Sequence, residues 1–374
     1  MRWSFPYAIT TFAIALSMVA LLPVTHAAAV TSEYTSQPAH YRFQETIRIQ
    51  NPSPTPALDV TARVVLLPPS TQYSRVRLTW ISHKPEQVIR DTNGNSIGVY
   101  HWSIIGARRT VTLTIQYQAV SRAIAYRLPT KVARYQTHSR LFRTYTNPRF
   151  EYRQGVNTDA PTVLAVVRKV TRGLTSPVAR AKALFVWEAD HIRYNPGSGA
   201  SGSAVATLAT RSGVCSDFAE LYAALLRTDH IPARLISGYV TNNGGGKAGF
   251  HEWDEFYLPQ VGWVVADPTW GRFGYFGRLQ DDWHVALYGG VVPDVEVRYA
   301  SHRRDGTLEV ATAYHFTTES MSLTRPPRTP LPVLPVALPH NTTLVHLAPS
   351  GWHRWLAVAS SWFRTVIRRL AHWL

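Results

Sequence analysis

The spacing of apolar residues changes along the chain, and this change restricts the fold more than any other feature. In the first part of the chain, apolar and polar residues alternate with a period of two, which is typical of half-buried strands. The segments with this alternation are residues 41–51, 59–67, 73–82, 98–104 and 109–120. Short strands separated by turn-rich sequence predict an antiparallel sandwich. We assign residues 31–152 to an all-β, Ig-like sandwich that acts as a scaffold or binding module.

A helical period replaces the alternation after this region. Residues 158–174 and 176–195 each carry a proline near their start and apolar residues along one face, so we predict two helices. A third helix is predicted directly after Cys215. Three strands are then predicted at residues 233–240, 251–258 and 262–269. Residues 153–323 are therefore assigned to an α+β domain in which helices precede an antiparallel sheet.

Residues 1–27 have the pattern of a secretory signal peptide. Arg2 provides a positive start, residues 8–24 are uncharged and mostly apolar, and small residues at 27–29 suit a signal peptidase. This pattern predicts an exported protein, located outside the cell, in the cell envelope or in the periplasm. The alternative is an uncleaved membrane anchor, for which the apolar stretch is slightly short.

The C-terminal sequence differs from both predicted domains. Residues 324–350 are rich in proline and are predicted to form a semi-extended linker. Residues 351–374 place tryptophans and aliphatic side chains on one helical face, with arginines largely opposite and no acidic residue. This pattern predicts an amphipathic basic helix. The helix either lies on an anionic membrane surface or docks on the protein core.

The chain is strongly basic, with 39 Lys and Arg against 23 Asp and Glu and a net charge of +16. For an exported protein, such a charge favours an anionic membrane surface or cell-wall polymer as a neighbour. We predict no nucleic-acid partner, and the sequence does not indicate an oligomeric state.

Cys215 is the only cysteine in 374 residues, so the chain forms no intramolecular disulfide. A lone cysteine is either a small buried residue or a reactive thiol, and its surroundings decide between these interpretations. Here the cysteine comes just before a predicted helix, and a helix N-terminus favours the thiolate. A nearby imidazolium favours the thiolate as well.

A predicted hairpin offers a histidine held by an acid. If Tyr257 pairs with Val261, then His251 lies directly opposite Asp267. Opposed residues of an antiparallel pair share one face, with Cβ atoms about 4.5–5.5 Å apart. Asp267 is then placed to bind one ring nitrogen of His251, which leaves the other nitrogen for Cys215. The assumed register is essential, because a slip of one residue moves a side chain to the other face.

Four ordered motifs then resemble those of the transglutaminase-like superfamily. They are Gly213-Val214-Cys215, Ile231-Pro232-Ala233-Arg234, His251-Glu252-Trp253-Asp254-Glu255, and the segment from Trp263 to Asp267-Pro268-Thr269. The resemblance covers roughly residues 162–275. It implies a papain-like α+β fold for the second domain, with Cys215, His251 and Asp267 as its catalytic residues. Glu255 is interpreted as a structural partner.

The resemblance implies acyl transfer through a thioester on Cys215, and no metal or cofactor is predicted. The backbone N–H of Cys215 is a natural oxyanion donor, and Tyr194 and Trp187 are candidates for a second one. We predict a cysteine-nucleophile peptidase or amidase acting on a protein or peptide, in preference to a crosslinking transamidase. The alternative is a non-catalytic binding module associated with the cell wall or a membrane.

Overall fold

The computed structural model describes residues 32–151, 155–197, 199–240, 249–290, 295–300 and 308–320. The predicted signal peptide at residues 1–27, the linker at 324–350 and the amphipathic helix at 351–374 lie outside the described residues. Within the described part of the chain, no helix combines the length and apolar character needed to cross a bilayer.

Two four-stranded antiparallel sheets form the N-terminal unit. The first has the strand order β16-β3-β6-β5 and the second has the order β17-β2-β7-β4. Their bounds are β2 Ala39–Gln50, β3 Ala57–Leu67, β4 Ser74–Ile81, β5 Gln87–Arg90, β6 Ser96–Ile105, β7 Thr110–Ser121, β16 Val295–Ala300 and β17 Glu309–Ser320. These strands confirm the mostly β N-terminal region. The Ig-like assignment stays a prediction.

The core of this unit lies between the two sheets and is mostly apolar, although Glu45 of β2 is buried on the same face. Ile47 and Ile49 of β2, Val64 of β3 and Leu113 of β7 are fully buried in one cluster. They alternate with exposed or half-buried residues along each strand, as the period of two requires. The sequence pattern therefore corresponds directly to the buried face of each sheet.

The last two strands of this unit come from far along the sequence. β16 pairs with β3 and β17 pairs with β2, although residues 153–323 were assigned to the second domain. That assignment was wrong for these two strands. They close edges of β2 and β3 whose backbone groups would otherwise lack partners. A local period predicts a strand but not the sheet that it joins, and the remaining domain boundaries stay predictions.

Helices and a second sheet make up the other unit. The helices are α1 Arg140–Tyr145, α2 Pro161–Val170, α3 Pro177–His191, α4 Ala204–Thr210 and α5 Cys215–Thr228. The sheet is antiparallel, with the order β13-β12-β11-β15. Its strands are β11 Ala233–Val240, β12 Gly249–Leu258, β13 Gly262–Ala266 and β15 His284–Gly289. A 3₁₀ helix, Pro268–Phe273, follows β13 directly.

Shorter strands complete the described elements. β9, Arg193–Tyr194, pairs in parallel with β10, Ser212–Gly213. β1, Ser32–Tyr34, and β14, Arg278–Leu279, both pair with β8, Ile124–Tyr126. This small sheet joins sequence from both units.

Helix α5 lies at the centre of the second unit. All of its large apolar residues are buried against α2, α3, α4 and the sheet, namely Phe218, Leu221, Tyr222, Leu225 and Leu226. The predicted third helix is thus confirmed. The first two predicted helices are shorter than expected at both ends, and each begins at its proline, Pro161 or Pro177. Proline is favoured at the first helical position, where its missing N–H costs nothing.

Candidate active site

Cys215 is the first residue of α5, and it is buried. The turn before it is held by Asp217, whose Oδ2 accepts a hydrogen bond from the backbone N–H of Val214 at 2.8 Å. Oδ1 of the same carboxylate accepts from the N–H of Ser201 at 2.7 Å and from its hydroxyl at 2.6 Å. One acidic side chain therefore fixes the helix start and the loop beside it.

Gly213 is required by the approach of Asp217. A Cβ at this position would lie 2.5 Å from the Cβ of Asp217, which is closer than real side-chain atoms come. The φ of Gly213 is not in the left-handed region, so the close approach is the physical reason for glycine here.

His251 lies on β12 and reaches Asp267 across the hairpin in a different register from the predicted one. Tyr257 pairs with Trp263, whereas Val261 was the predicted partner. β13 ends at Ala266, whereas the predicted strand ran to residue 269. Asp267 therefore lies just beyond the strand, before the 3₁₀ helix. The predicted register is wrong by two residues. An even shift preserves the face, which is why the two side chains still meet.

The three predicted site residues are in contact. His251 Nε2 lies 2.7 Å from Asp267 Oδ2. The Cys215 side chain interacts with the same imidazole, and Nδ1 is the ring nitrogen that Asp267 leaves available to it. The structure therefore brings thiol, imidazole and carboxylate together in one cluster. Their catalytic roles remain a proposal.

Asp267 uses both of its oxygens. Oδ1 accepts from the backbone N–H of Thr269 at 3.0 Å and of Trp270 at 3.4 Å. The Trp270 ring lies over the His251 ring, with centroids 5.0 Å apart and planes at 24°. The start of the 3₁₀ helix thus orients the carboxylate, while its indole limits the tilt of the imidazole.

Burial and charge act in opposite directions on this pair. Burial lowers the pKa of His251, but the charge and hydrogen bond of Asp267, together with Cys215, raise it to about 10. Burial raises the pKa of Asp267, yet the charges and hydrogen bonds of His251 and His284 hold it well below its ordinary value. The pair is therefore an imidazolium and a carboxylate at neutral pH.

A second histidine, which the sequence analysis did not single out, joins this cluster. His284 Nε2 lies 3.2 Å from Asp267 Oδ2, the oxygen that His251 also contacts. Ligand atoms of His251, Asp267 and His284 lie within 4.8 Å of one another, a spacing that a metal ion can also bridge. Here the ring nitrogens face the carboxylate as hydrogen-bond donors, so we assign the cluster to hydrogen bonding.

The other motif residues have structural contacts. Arg234 donates from Nε to Glu255 Oε2 at 2.7 Å across the β11–β12 pair, and its guanidinium lies 4.4 Å from the centre of the Trp263 ring. Trp253 Nε1 donates to the hydroxyl of Tyr73 at 2.6 Å, which connects the sheet to the sandwich sequence. These contacts agree with the interpretation of Glu255 as a structural partner.

The two candidates for a second oxyanion donor differ in position. Tyr194, on β9, lies beside Gly213 in the parallel β9–β10 pair. Burial raises the pKa of its phenol, and the neighbouring Cys215 and Asp267 raise it further. Trp187 lies on α3, where its ring stacks on His191 and faces Arg211. Tyr194 is therefore the candidate that interacts with the thiol.

Comparison with known proteins agrees with this geometry. Residues 164–268 match the model of the transglutaminase-like superfamily, and this range contains Cys215, His251 and Asp267. A Pseudomonas aeruginosa protein-glutamine gamma-glutamyltransferase is 34% identical over 83 residues, which cover 20% of this chain and 12% of that protein. An uncharacterised Bacillus subtilis protein, YebA, is 36% identical over 74 residues, covering 17% of this chain and 10% of that protein.

These matches concern the region of the site alone. The chain spans only about a tenth of the length of the two curated relatives. A crystal structure of a candidate cysteine protease from Cytophaga hutchinsonii covers 79% of this chain and 95% of its own, with a TM-score of 0.55 and 17% identity. At that identity the likeness concerns the fold, including the arrangement of β-rich and helical parts.

Proposed function

Because the chain carries a domain of the transglutaminase-like superfamily at residues 164–268, we propose that it is a thiol-dependent acyl-transfer enzyme that hydrolyses an amide bond in a protein or peptide. The observation that carries this proposal is the chain of contacts from Cys215 through His251 to the buried carboxylate of Asp267. A thiolate beside an imidazolium is the activated form of a cysteine nucleophile.

The first half of the reaction forms a thioester. The Cys215 thiolate attacks the carbonyl carbon, and the backbone N–H of Cys215, in the first turn of α5, stabilises the oxyanion. His251 then gives its proton to the leaving nitrogen as the C–N bond breaks, so that an amine or ammonia departs. Asp267 keeps the imidazole in the orientation that this transfer needs.

The second half releases the acyl group. The neutral His251 takes a proton from water as the water oxygen attacks the thioester carbon. The C–S bond breaks, the product leaves as a carboxylic acid, and the thiolate–imidazolium pair is restored. A primary amine that replaces water gives a new amide instead. The Pseudomonas relative is named for that second outcome, which makes transamidation the second candidate activity.

Location and partners belong to the same proposal. We propose an exported enzyme, in line with the signal-like sequence at residues 1–27, with residues 351–374 attaching it to an anionic membrane surface. The net charge of +16 favours acidic substrates or surfaces.

The decisive experiment offers glutamine-containing peptides, unmodified proteins and a fluorescent primary amine to the full chain and to Cys215→Ala. We expect hydrolysis that falls by at least about 10³-fold in the variant. His101→Gln, a change at an exposed histidine of the sandwich, serves as the control that keeps full activity. Amine incorporation faster than hydrolysis would favour the transamidase. Loss of both reactions in the wild type across the panel would favour the non-catalytic binding module.

A further inference from the structure

His284, the first residue of β15, lies between two carboxylates and has no solvent exposure. Its Nδ1 is 2.8 Å from Asp281 Oδ1, and its Nε2 is 3.2 Å from Asp267 Oδ2. The hydrogen bond between His251 and Asp267 therefore continues to a second imidazole and a second carboxylate. Nothing in the proposed acyl transfer requires these two extra groups.

The hydrogen-bond pattern determines the proton count of His284. A neutral imidazole has a single N–H. In one of its two short contacts, the lone pair of a ring nitrogen would therefore face a lone pair of a carboxylate oxygen. Asp267 already accepts from His251, Thr269 and Trp270 in addition to His284. A protonated Asp267 would lose one of these bonds. The arrangement is satisfied when His284 carries both protons and each carboxylate is ionised.

Asp281 is held as firmly as Asp267. The Tyr275 hydroxyl donates to its Oδ2 at 2.7 Å, and the backbone N–H of Trp283 donates to its Oδ1 at 2.9 Å. Burial raises the pKa of Asp281, but His284 and these donors lower it below its ordinary value. Asp281 therefore stays ionised and keeps the proton on His284 Nδ1.

The sheet is built so that the two histidine rings meet. β11 lies between β12 and β15, and Gly238 is its residue opposite His251. A Cβ on Gly238 would lie 2.7 Å from the Trp253 ring and 2.1 Å from the carbonyl oxygen of Val285. Without that Cβ, the Trp253 ring packs edge-on against His284, with centroids 5.0 Å apart. The Trp270 ring also contacts His284 edge-on, with centroids 5.1 Å apart.

Resting on the proposed function, we propose that His284 is a positioning residue that holds Asp267 and shares its negative charge, so that His251 can both accept and release the catalytic proton. Asp267 Oδ2 accepts hydrogen bonds from two imidazole N–H groups. Because the two rings share one oxygen, the bond to His284 weakens the bond to His251. Without the second cation, His251 alone would neutralise Asp267. It would then bind its proton more tightly and be a poorer acid toward the leaving nitrogen.

The charged groups facing the two rings are few. Cys215, Asp267 and the adjacent Glu252 act on His251, and Asp267 and Asp281 act on His284. Burial raises the pKa of Glu252 to about 7, so this group titrates near neutrality. Glu252 titrates in the wild type and in the variants alike. The difference between the pH profiles of the wild type and of His284→Gln therefore reports on His284.

The first test uses the unmodified protein. Histidine ring ¹⁵N NMR, assigned by correlating each ring with its own backbone resonances, reports the protonation of each ring nitrogen without any substrate. We expect both nitrogens of His284 to carry a proton from pH 5 to pH 9. A His284 ring that is neutral at pH 7 overturns the proposal, and this result does not depend on whether the variant folds.

The second test follows alkylation of Cys215 by iodoacetamide against pH in the full chain, where it is the only cysteine. His284→Gln keeps a donor near Asp267 but removes a positive charge whose ring centre is 5.8 Å from that of His251. We expect the pH profile to move upward by about one to two units. His101→Gln, which breaks a similar contact to Asp59 at the surface, leaves the profile in place.

A profile for His284→Gln that overlies the wild-type profile, or that moves to lower pH, overturns the proposal. Neither measurement uses a substrate, so absence of turnover counts against the proposed function alone. Conversely, slow alkylation of the wild type that follows an ordinary thiol would refute the activated cysteine, while the NMR result still decides the state of His284.

Discussion

The two units of this protein differ in where their ion pairs lie. In the sandwich, the pairs Asp59–His101 and Glu296–Arg298 lie at the surface, and the core between the sheets is mostly apolar. In the second unit, Arg234–Glu255 and His251–Asp267 are buried. Apolar surfaces pack with many partners, whereas a buried charge needs its own partner. The sandwich should therefore tolerate the loss of one charge far better than the sheet that carries the site.

The largest effect on stability is expected from Glu255→Gln. This change keeps the shape of the side chain but leaves Arg234 buried beside an uncharged neighbour. Loss of one partner of a buried pair costs about 3–5 kcal/mol of the free energy of unfolding. Urea unfolding followed by tryptophan fluorescence measures this loss. A change below about 1 kcal/mol would show that the buried pair does not distinguish the two units.

The protonation of His251 makes the stability of the second unit depend on pH. Its pKa is about 10 in the folded state and about 6.5 in an unfolded chain, so the folded state binds more protons between these values. The free energy of unfolding should therefore decrease as the pH rises from about 6.5 to about 10, by an amount on the order of a few kcal/mol.

Urea midpoints at several pH values between 7 and 10 measure this slope. The matched variant is His251→Gln, which cannot bind the proton and should show a shallower slope. His284 also has a raised pKa and remains in both proteins, so the variant should keep part of the slope. Equal slopes in the two proteins would contradict the assigned protonation of His251.

The same contrast explains what the sequence could predict. The apolar alternation located β2, β3, β4, β6 and β7 to within a few residues, because one face of most of these strands is buried. The strands β5, β16 and β17 were not predicted, and pairing across 200 or more residues leaves no local pattern that would place β16 and β17 in the sandwich. Local patterns identify an element and its buried face, and tertiary contacts decide its partner.

The site followed the same rule. Cys215, His251 and Asp267 were predicted from their motifs, and they meet although the assumed hairpin register was wrong. His284 was missed because its partner Asp267 lies on another part of the fold, and one histidine among 15 has no signal of its own. Its neighbour Asp281, three residues earlier, was the one local sign of a histidine held by an acid.

The smallest effect is expected from Asp59→Asn in the sandwich. Asp59 Oδ1 lies 2.8 Å from His101 Nε2, but the Asp59 side chain is 73% exposed, so water screens the pair. Asp59 also has a φ of 52°, in the left-handed region that asparagine tolerates, so the change adds no backbone strain. The free energy of unfolding should change by less than about 1 kcal/mol, which the same urea titration resolves.

Because Asp59→Asn and Glu255→Gln both replace a paired carboxylate by its amide, the difference between their losses of stability measures the effect of burial directly. A loss for Asp59→Asn as large as that for Glu255→Gln would mean that the pairing itself, and not its burial, sets the cost.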